Sequence, residues 1–164
     1  MTDDLADAFG SLGEHLRALR GRIEETDQSL LAHLRPNAIR YLDADDLLVL
    51  VSAVVSEDLV VDDLGVIYTA VLRPQAVVMG MPAYDTLWLK AAALLEAIVR
   101  GKPLREGNWR LAWIAAVTFC DLNGHRLDTP MDEALDLVRE VAAGMVDIRT
   151  LAERLQDWAG VERG

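Results

Sequence analysis

Two stretches of this chain, residues 86–100 and 108–123, are apolar almost all the way round a helix. A helix without a polar face has to be enclosed by other helices. They are therefore expected to form the middle of a bundle, joined by a connector of only six residues, Gly101 to Glu106, that is polar and basic. The chain leaves the core briefly and re-enters it at Gly107-Asn108, and that short loop is where chemistry is expected.

The rest of the sequence supplies the enclosing elements. From Tyr41 onward, short helical patterns follow one another, each opened by a residue whose side-chain oxygen suits an N-cap: Asp43, Asp62, Asp85, Thr129 and Asp147. Thr129-Pro130 pairs a capping hydroxyl with a proline at the first helical position, where the missing amide hydrogen costs nothing. Gly101, Gly124 and Gly144 suit left-handed helix stops. Strand character is confined to Ala76-Val77-Val78-Met79, between Arg73-Pro74 and Gly80, which is too little to found a sheet. The expected fold class is all-α, a helical bundle with one small hairpin or flap.

At 164 residues the chain suits one domain, burying roughly two-thirds of its unfolded surface. Within it, residues 1–37 read as an N-terminal amphipathic extension and residues 38–164 as the body. In the extension Leu12, Leu16, Leu19, Ile23, Thr26 and Leu30 recur at alternating steps of four and three, the seam of an amphipathic helix that Pro36 would stop. That seam either packs on its own bundle or offers a docking surface or homo-oligomer contact.

Charge narrows the partners. A net charge of -11 repels a phosphate backbone, so nucleic acid is not expected as a partner. The apolar runs Leu87–Val99 and Leu111–Leu122 fall short of the roughly 18 residues needed to span a bilayer, so no membrane partner is expected either. The start, Met1-Thr2-Asp3-Asp4, is acidic where a secretory signal would be basic and apolar. Cys120 is the sole cysteine, which excludes a disulfide framework, and its place inside an apolar helix makes it a core residue. A cytoplasmic location is the expectation.

Against this acidic background, residues 100–110 hold Arg100, Lys102, Arg105 and Arg110 with Glu106 as the one acid, a local charge of +4 and -1. The loop opens into the N-terminus of a buried helix, where the free amide hydrogens of Asn108, Trp109 and Arg110 and the helix dipole favour an anion. A phosphate is the natural guest, and Gly107 lets the backbone approach it. No other phosphate-loop, dinucleotide, nucleophile-elbow or zinc-protease pattern is present, and His15, His33 and His125 show no metal-ligand spacing.

Lys102-Pro103-Leu104-Arg105-Glu106-Gly107-Asn108-Trp109-Arg110 resembles the Fic/Doc signature H-x-F-x-[DE]-[GA]-N-[KG]-R. The resemblance extends from about Tyr41 to Leu155, through Asp63-Leu64-Gly65, Arg73-Pro74-Gln75, Ala83-Tyr84-Asp85-Thr86-Leu87, Lys90 to Leu95, Leu111-Ala112-Trp113 and Leu122-Asn123-Gly124, all similar to the death-on-curing (Doc) branch of toxin-antitoxin toxins. It implies a helical bundle with a flap ahead of the motif. It also implies ATP or another nucleotide with magnesium as cofactor. Glu106 would hold the magnesium, Gly107, Asn108 and Arg110 would cradle phosphates with Arg105 and Trp109 beside them, and Lys102 would stand where the base belongs. Trp113 occupies the place of the second arginine of the AMP-transferring branch, so phosphotransfer is favoured over AMP transfer. The resemblance further implies an antitoxin or protein target, held along the flap at residues 74–81 or by the N-terminal helix. The flap would otherwise be a tight loop without a partner.

The motif departs from the family at three places. A general base must be deprotonated near neutral pH; histidine, near 6.5, meets this, and an ordinary lysine, near 10.4, does not. Leu104 replaces an aromatic ring, and Trp109 replaces lysine or glycine with a large ring that would stack on a base or plug the site. No [ST]-x-x-x-E-[GN] inhibitory stretch occurs. Three functions remain open: a pseudoenzyme that binds nucleotide, an active protein phosphotransferase using Lys102 on a serine or threonine hydroxyl such as that of a translation factor, and a pure interaction protein.

Overall fold

The computed structural model describes residues 38–54 and 60–160, with Ala18 as the one described residue before them. The expected N-terminal helix and its seam lie outside the described residues. Six α-helices and one two-stranded hairpin are present among them: α1 (Ala44–Val54), α2 (Leu64–Leu72), a 3-10 turn (Arg73–Gln75), β1 (Val77–Val78), β2 (Met81–Pro82), α3 (Leu87–Gly101), α4 (Asn108–Leu122), α5 (Met131–Ala142) and α6 (Ile148–Trp158). The all-α bundle with a small hairpin is what the sequence led one to expect.

The two apolar helices are central. α3 packs against α4, α6, α2 and α5, and α4 also meets α1 and α5. Both helices are buried along most of their length, from Lys90 to Val99 and from Leu111 to Cys120, which is why neither retains a polar face. The outer helices α5 and α6 bury only one stripe each, Ala134, Leu137, Val138 and Val141 on the first and Leu151, Ala152 and Leu155 on the second. Among the described residues no helix is long and apolar enough to cross a membrane.

Capping follows the expected chemistry with shifts of one residue. Asp43 and Asp46 close a reciprocal box at the start of α1, each carboxylate accepting from the other's backbone N–H at 2.8 and 2.9 Å. Asp147 caps α6 by accepting from Thr150 N–H, the first of several bonds that hold its carboxyl below the usual range. At α2 and α3, however, the caps are Asp63 and Thr86 rather than Asp62 and Asp85. Asp62 is drawn instead to Arg105 at 3.3 Å. Pro130, not Thr129, sits at the start of α5, and the Thr129 hydroxyl is buried without a hydrogen-bond partner among the described residues.

A larger departure concerns the end of α3. Gly124 and Gly144 are left-handed, at φ 83° and 73°, but Gly101 is the last residue of the helix and Lys102 takes the left-handed conformation, φ 51° and ψ 60°. The reason is packing: a Cβ on Gly101 would lie 2.4 Å from Val66 Cγ1 of α2. The glycine is spent on close approach of two helices, and the strained turn falls to the lysine.

Candidate functional site

The loop between α3 and α4 is held from three sides. Pro103 carbonyl oxygen accepts from the backbone N–H groups of Asp62 and Asp63 at 2.9 and 3.1 Å, Arg105 N–H donates to Val60 carbonyl oxygen, and Val61 pairs with Leu104 in an isolated antiparallel bridge. Leu104 is buried in the core. The third restraint is Asn108. Its Nδ2 donates to Leu104 carbonyl oxygen at 2.7 Å and its Oδ1 accepts from Leu104 N–H at 2.8 Å. The side chain is thus engaged at both ends, and what Asn108 has left for an anion is its backbone N–H.

Helix α4 opens at Gly107, φ 79° and ψ 13°, with no side chain capping it. Its leading amide hydrogens face the loop unclaimed by a side chain, the arrangement that favours an anion. Arg110 lies one turn in, half-buried, its guanidinium 4.8 Å above the ring of Trp109. The Nε of Arg110 is buried and has no hydrogen-bond partner among the described residues. A buried, unpartnered guanidinium nitrogen costs free energy unless something accepts from it. Trp109 packs partly into the core and supports Arg110 from below.

The basic island is partly neutralised by its own neighbours. Arg105 pairs with Asp62, and Arg100 bends back along α3 to Glu96 at 3.5 Å. Lys102 and Glu106 are exposed, and among the described residues neither side chain has a hydrogen-bond or ion-pair partner. The charge left facing solvent is therefore that of Lys102 and Arg110, beside one carboxylate. No cluster of three metal-ligating side chains occurs among the described residues. Glu106 could still hold magnesium in the usual manner of that ion, through one carboxylate with phosphate oxygens and water.

The hairpin is anchored on α3, the helix that leads into this loop. β1 and β2 pair antiparallel, Val77 opposite Pro82 and Val78 opposite Met81, around Met79-Gly80, both with positive φ as a tight two-residue hairpin turn requires. Both strands are exposed. The base is tied to α3 by residues to which the sequence reading gave no role at the site. Lys90, only 8% exposed, donates through Nζ to Pro74 carbonyl oxygen at 3.1 Å and lies 5.4 Å from the centre of the Tyr41 ring. Arg73 Nε donates to the Tyr84 hydroxyl at 3.0 Å, while its Nη2 bonds Glu96. Burial would lower the Arg73 pKa, but the bonds to Tyr84 and Glu96 outweigh it and leave the group above its ordinary value. The available signal was a lysine and a glutamate inside an otherwise apolar helix, since buried charges are kept only where they are paired.

Elsewhere, Cys120 is fully buried and its thiol is pushed up to about 12 by burial, with the Asp121 charge adding to it, as expected of an inert core cysteine. His125 stands edge-on to Trp88. An open cleft of about 340 Å³ between α5 and α6 is lined by Glu133, Asp136, Arg154, Asp157 and Trp158, and by none of the motif residues.

The family model described as Fic/DOC matches residues 14–120, well over half of the chain. The chain belongs to the Fic/Doc family. It is 45% identical over 121 residues to a protein named Toxin Doc from Mycolicibacterium smegmatis (strain ATCC 700084 / mc(2)155), an alignment taking in 73% of this chain and 93% of that relative.

Proposed function

We propose that this chain is a Doc-like, toxin-type member of the Fic/Doc family that binds a nucleotide through the motif loop and has impaired or altered hydroxyl activation. The observation that carries the nucleotide reading is the buried, partnerless Nε of Arg110 beside the uncapped start of α4. Both are donors that lack an acceptor among the described residues, and a polyphosphate supplies acceptors of the right charge. Gly107, Asn108 and Arg110 would meet the phosphates, the first two through backbone N–H groups. Glu106 would hold magnesium. A bound nucleotide would supply the transferable phosphoryl group; the chain's own residues orient it and shield it from water.

The altered step is proton removal from an acceptor hydroxyl. Lys102 stands at the position where the family signature has histidine, and an ordinary ammonium has no lone pair to receive a proton. It does have three donors, so Lys102 suits a phosphate clamp better than a base. The 45% identity to Toxin Doc supports a place in a toxin-antitoxin pair, with an antitoxin or protein target taking the exposed hairpin edge as an added strand.

Thermal unfolding with ATP and magnesium tests the nest: at one hundred times the dissociation constant, binding stabilises the fold by about 2.7 kcal/mol. Radiolabel transfer in lysate then tests the chemistry. The expected result is binding without transfer by the native chain and transfer restored in Lys102→His. Transfer by the native chain that disappears in Lys102→Ala would establish an active phosphotransferase and overturn the pseudoenzyme reading.

A further inference from the structure

The open cleft of about 340 Å³ between α5 and α6 is built from one face of each helix. Glu133, Asp136 and Leu137 follow one another on α5 at i, i+3 and i+4, and Arg154, Asp157 and Trp158 repeat the same spacing on α6. Residues so spaced share a helix face. The N–H of Asp128, just ahead of α5, donates to the carbonyl oxygen of Trp158 at 2.8 Å, which brings the start of one helix beside the end of the other. Leu137 is fully buried, and the Trp158 ring stands edge-on to buried Trp113 of α4 with centroids 5.9 Å apart. The apolar parts of the lining are thus held by the core.

The charges of the lining are three carboxylates against one guanidinium, and they are not equally engaged. Arg154 of α6 crosses to Glu140 of α5 at 2.8 Å, and Asp136 pairs with Arg139 at 3.1 Å along its own helix. Glu133 and Asp157 are exposed, and among the described residues neither has a hydrogen-bond or ion-pair partner. Asp157 is also placed against the field of its own helix. It sits in the last turn of α6, where the dipole is negative, and that turn contains no basic residue. A cation is what this end of the cleft lacks.

We propose that the cleft between α5 and α6 receives an arginine side chain of a protein partner, with its guanidinium on Glu133 and Asp157 and its flat face against Trp158. A guanidinium suits this lining better than an ammonium does. It offers five donors in one plane, enough for carboxylates contributed by two helices, and the same plane stacks on an indole ring. The chain's own Arg154 already bridges these two helices through Glu140, so a guanidinium is compatible with their spacing. The volume is at the lower end for a ligand site and fits a side chain with its aliphatic stem, for which Leu137 supplies apolar contact. Because the cleft is open between two outer helices, a side chain carried on another backbone can enter it. The inference is independent of the nucleotide reading, since no residue of the motif loop lines this cleft.

The test titrates the full chain with the blocked tripeptide acetyl-Gly-Arg-Gly-amide and follows backbone amide and indole N–H signals. Saturable shifts confined to residues 133–137 and 154–158, including the Trp158 indole, are the expected result. The lysine counterpart should bind more weakly, and the citrulline counterpart, which keeps the shape without the charge, should not bind. Glu133→Gln with Asp157→Asn should weaken binding about tenfold with an unchanged Tm, as loss of two exposed charge pairs implies. Asp45→Asn with Glu153→Gln removes the same charge outside the cleft and should leave binding as it was. No saturable shift at the cleft, equal binding of the lysine or citrulline peptide, or equal loss in both double variants overturns the proposal. So does either of two reassignments: agmatine binding far more tightly than the tripeptide would give the cleft to a free small cation, and cleft signals that move on dilution without any peptide would give it to a second copy of the chain.

Discussion

Lys90 Nζ and the carbonyl oxygen of Pro74 are 3.1 Å apart in the interior, and this bond joins the central helix to the foot of the hairpin. The same helix ends at Lys102 of the motif loop. Flap and loop are therefore positioned by one rigid element, with Arg73, Tyr84 and Glu96 fastening the hairpin's two sides to it.

Replacing Lys90 by Met keeps the length of the side chain and deletes the donor. Pro74 loses its partner, which costs about 1–3 kcal/mol, while removing a buried charge returns part of that. The expected net loss is about 1 kcal/mol, a fall of roughly 2–4 °C in Tm for a chain of this size. Amide exchange should quicken at Val77 to Met81 well beyond the change in α4; uniform acceleration would show that Lys90 serves only general stability.

Gly101→Ala places a methyl group into Val66 Cγ1, 2.4 Å from its Cβ. Valine is stiff at χ1, so the helices must separate, at a cost of about 1–3 kcal/mol. Adding Val66→Ala makes room, and the double variant should recover about 1 kcal/mol relative to the sum of the single changes, measured by urea unfolding.

Lys102→Gly removes the left-handed strain at φ 51° and should raise stability by about 0.5–1 kcal/mol, whereas Lys102→Ala keeps the strain. A higher urea midpoint for the glycine variant than for the alanine variant is the measurement. Such a gain would show that the native lysine is carried at a cost to the fold, the pattern expected of a residue kept for its side chain.

Cys120 retains its proton in the folded state up to about pH 12, against 9.0 for an ordinary thiol. The folded state thus binds the proton more tightly than the unfolded one. The resulting stabilisation is complete below pH 9 and is lost as pH rises toward 12. Cys120→Ala should flatten the alkaline fall in stability across that interval relative to the native chain. Native Cys120 should also resist iodoacetamide at pH 8.5 until urea unfolds the protein.

The bundle was legible because its signals are local. Two helices without polar faces can only be central, and the short run of strand character from Ala76 to Met79 is too little for more than a hairpin or flap. The motif was legible for the same reason, since a glycine and basic residues ahead of a buried helix are contiguous in the chain. Less of the site's wiring could be read. Asn108 was expected among the phosphate ligands, but its amide is engaged by Leu104, and Arg105 is held by Asp62, forty-three residues away. Long-range pairs of this kind leave no periodicity behind.

By itself the sequence determined that the described body is a helical bundle and which two helices lie inside it, because burial follows from side-chain pattern within a turn or two. Only the tertiary structure decided how those parts are used. Gly101 lies under Val66, so the left-handed turn passes to Lys102; Glu96 is reached by Arg73 and Arg100, so charges in an apolar helix become the fastening of the flap. Both outcomes depend on which surfaces of separate helices come into contact, and contact distance between distant residues is not encoded in either one's neighbourhood.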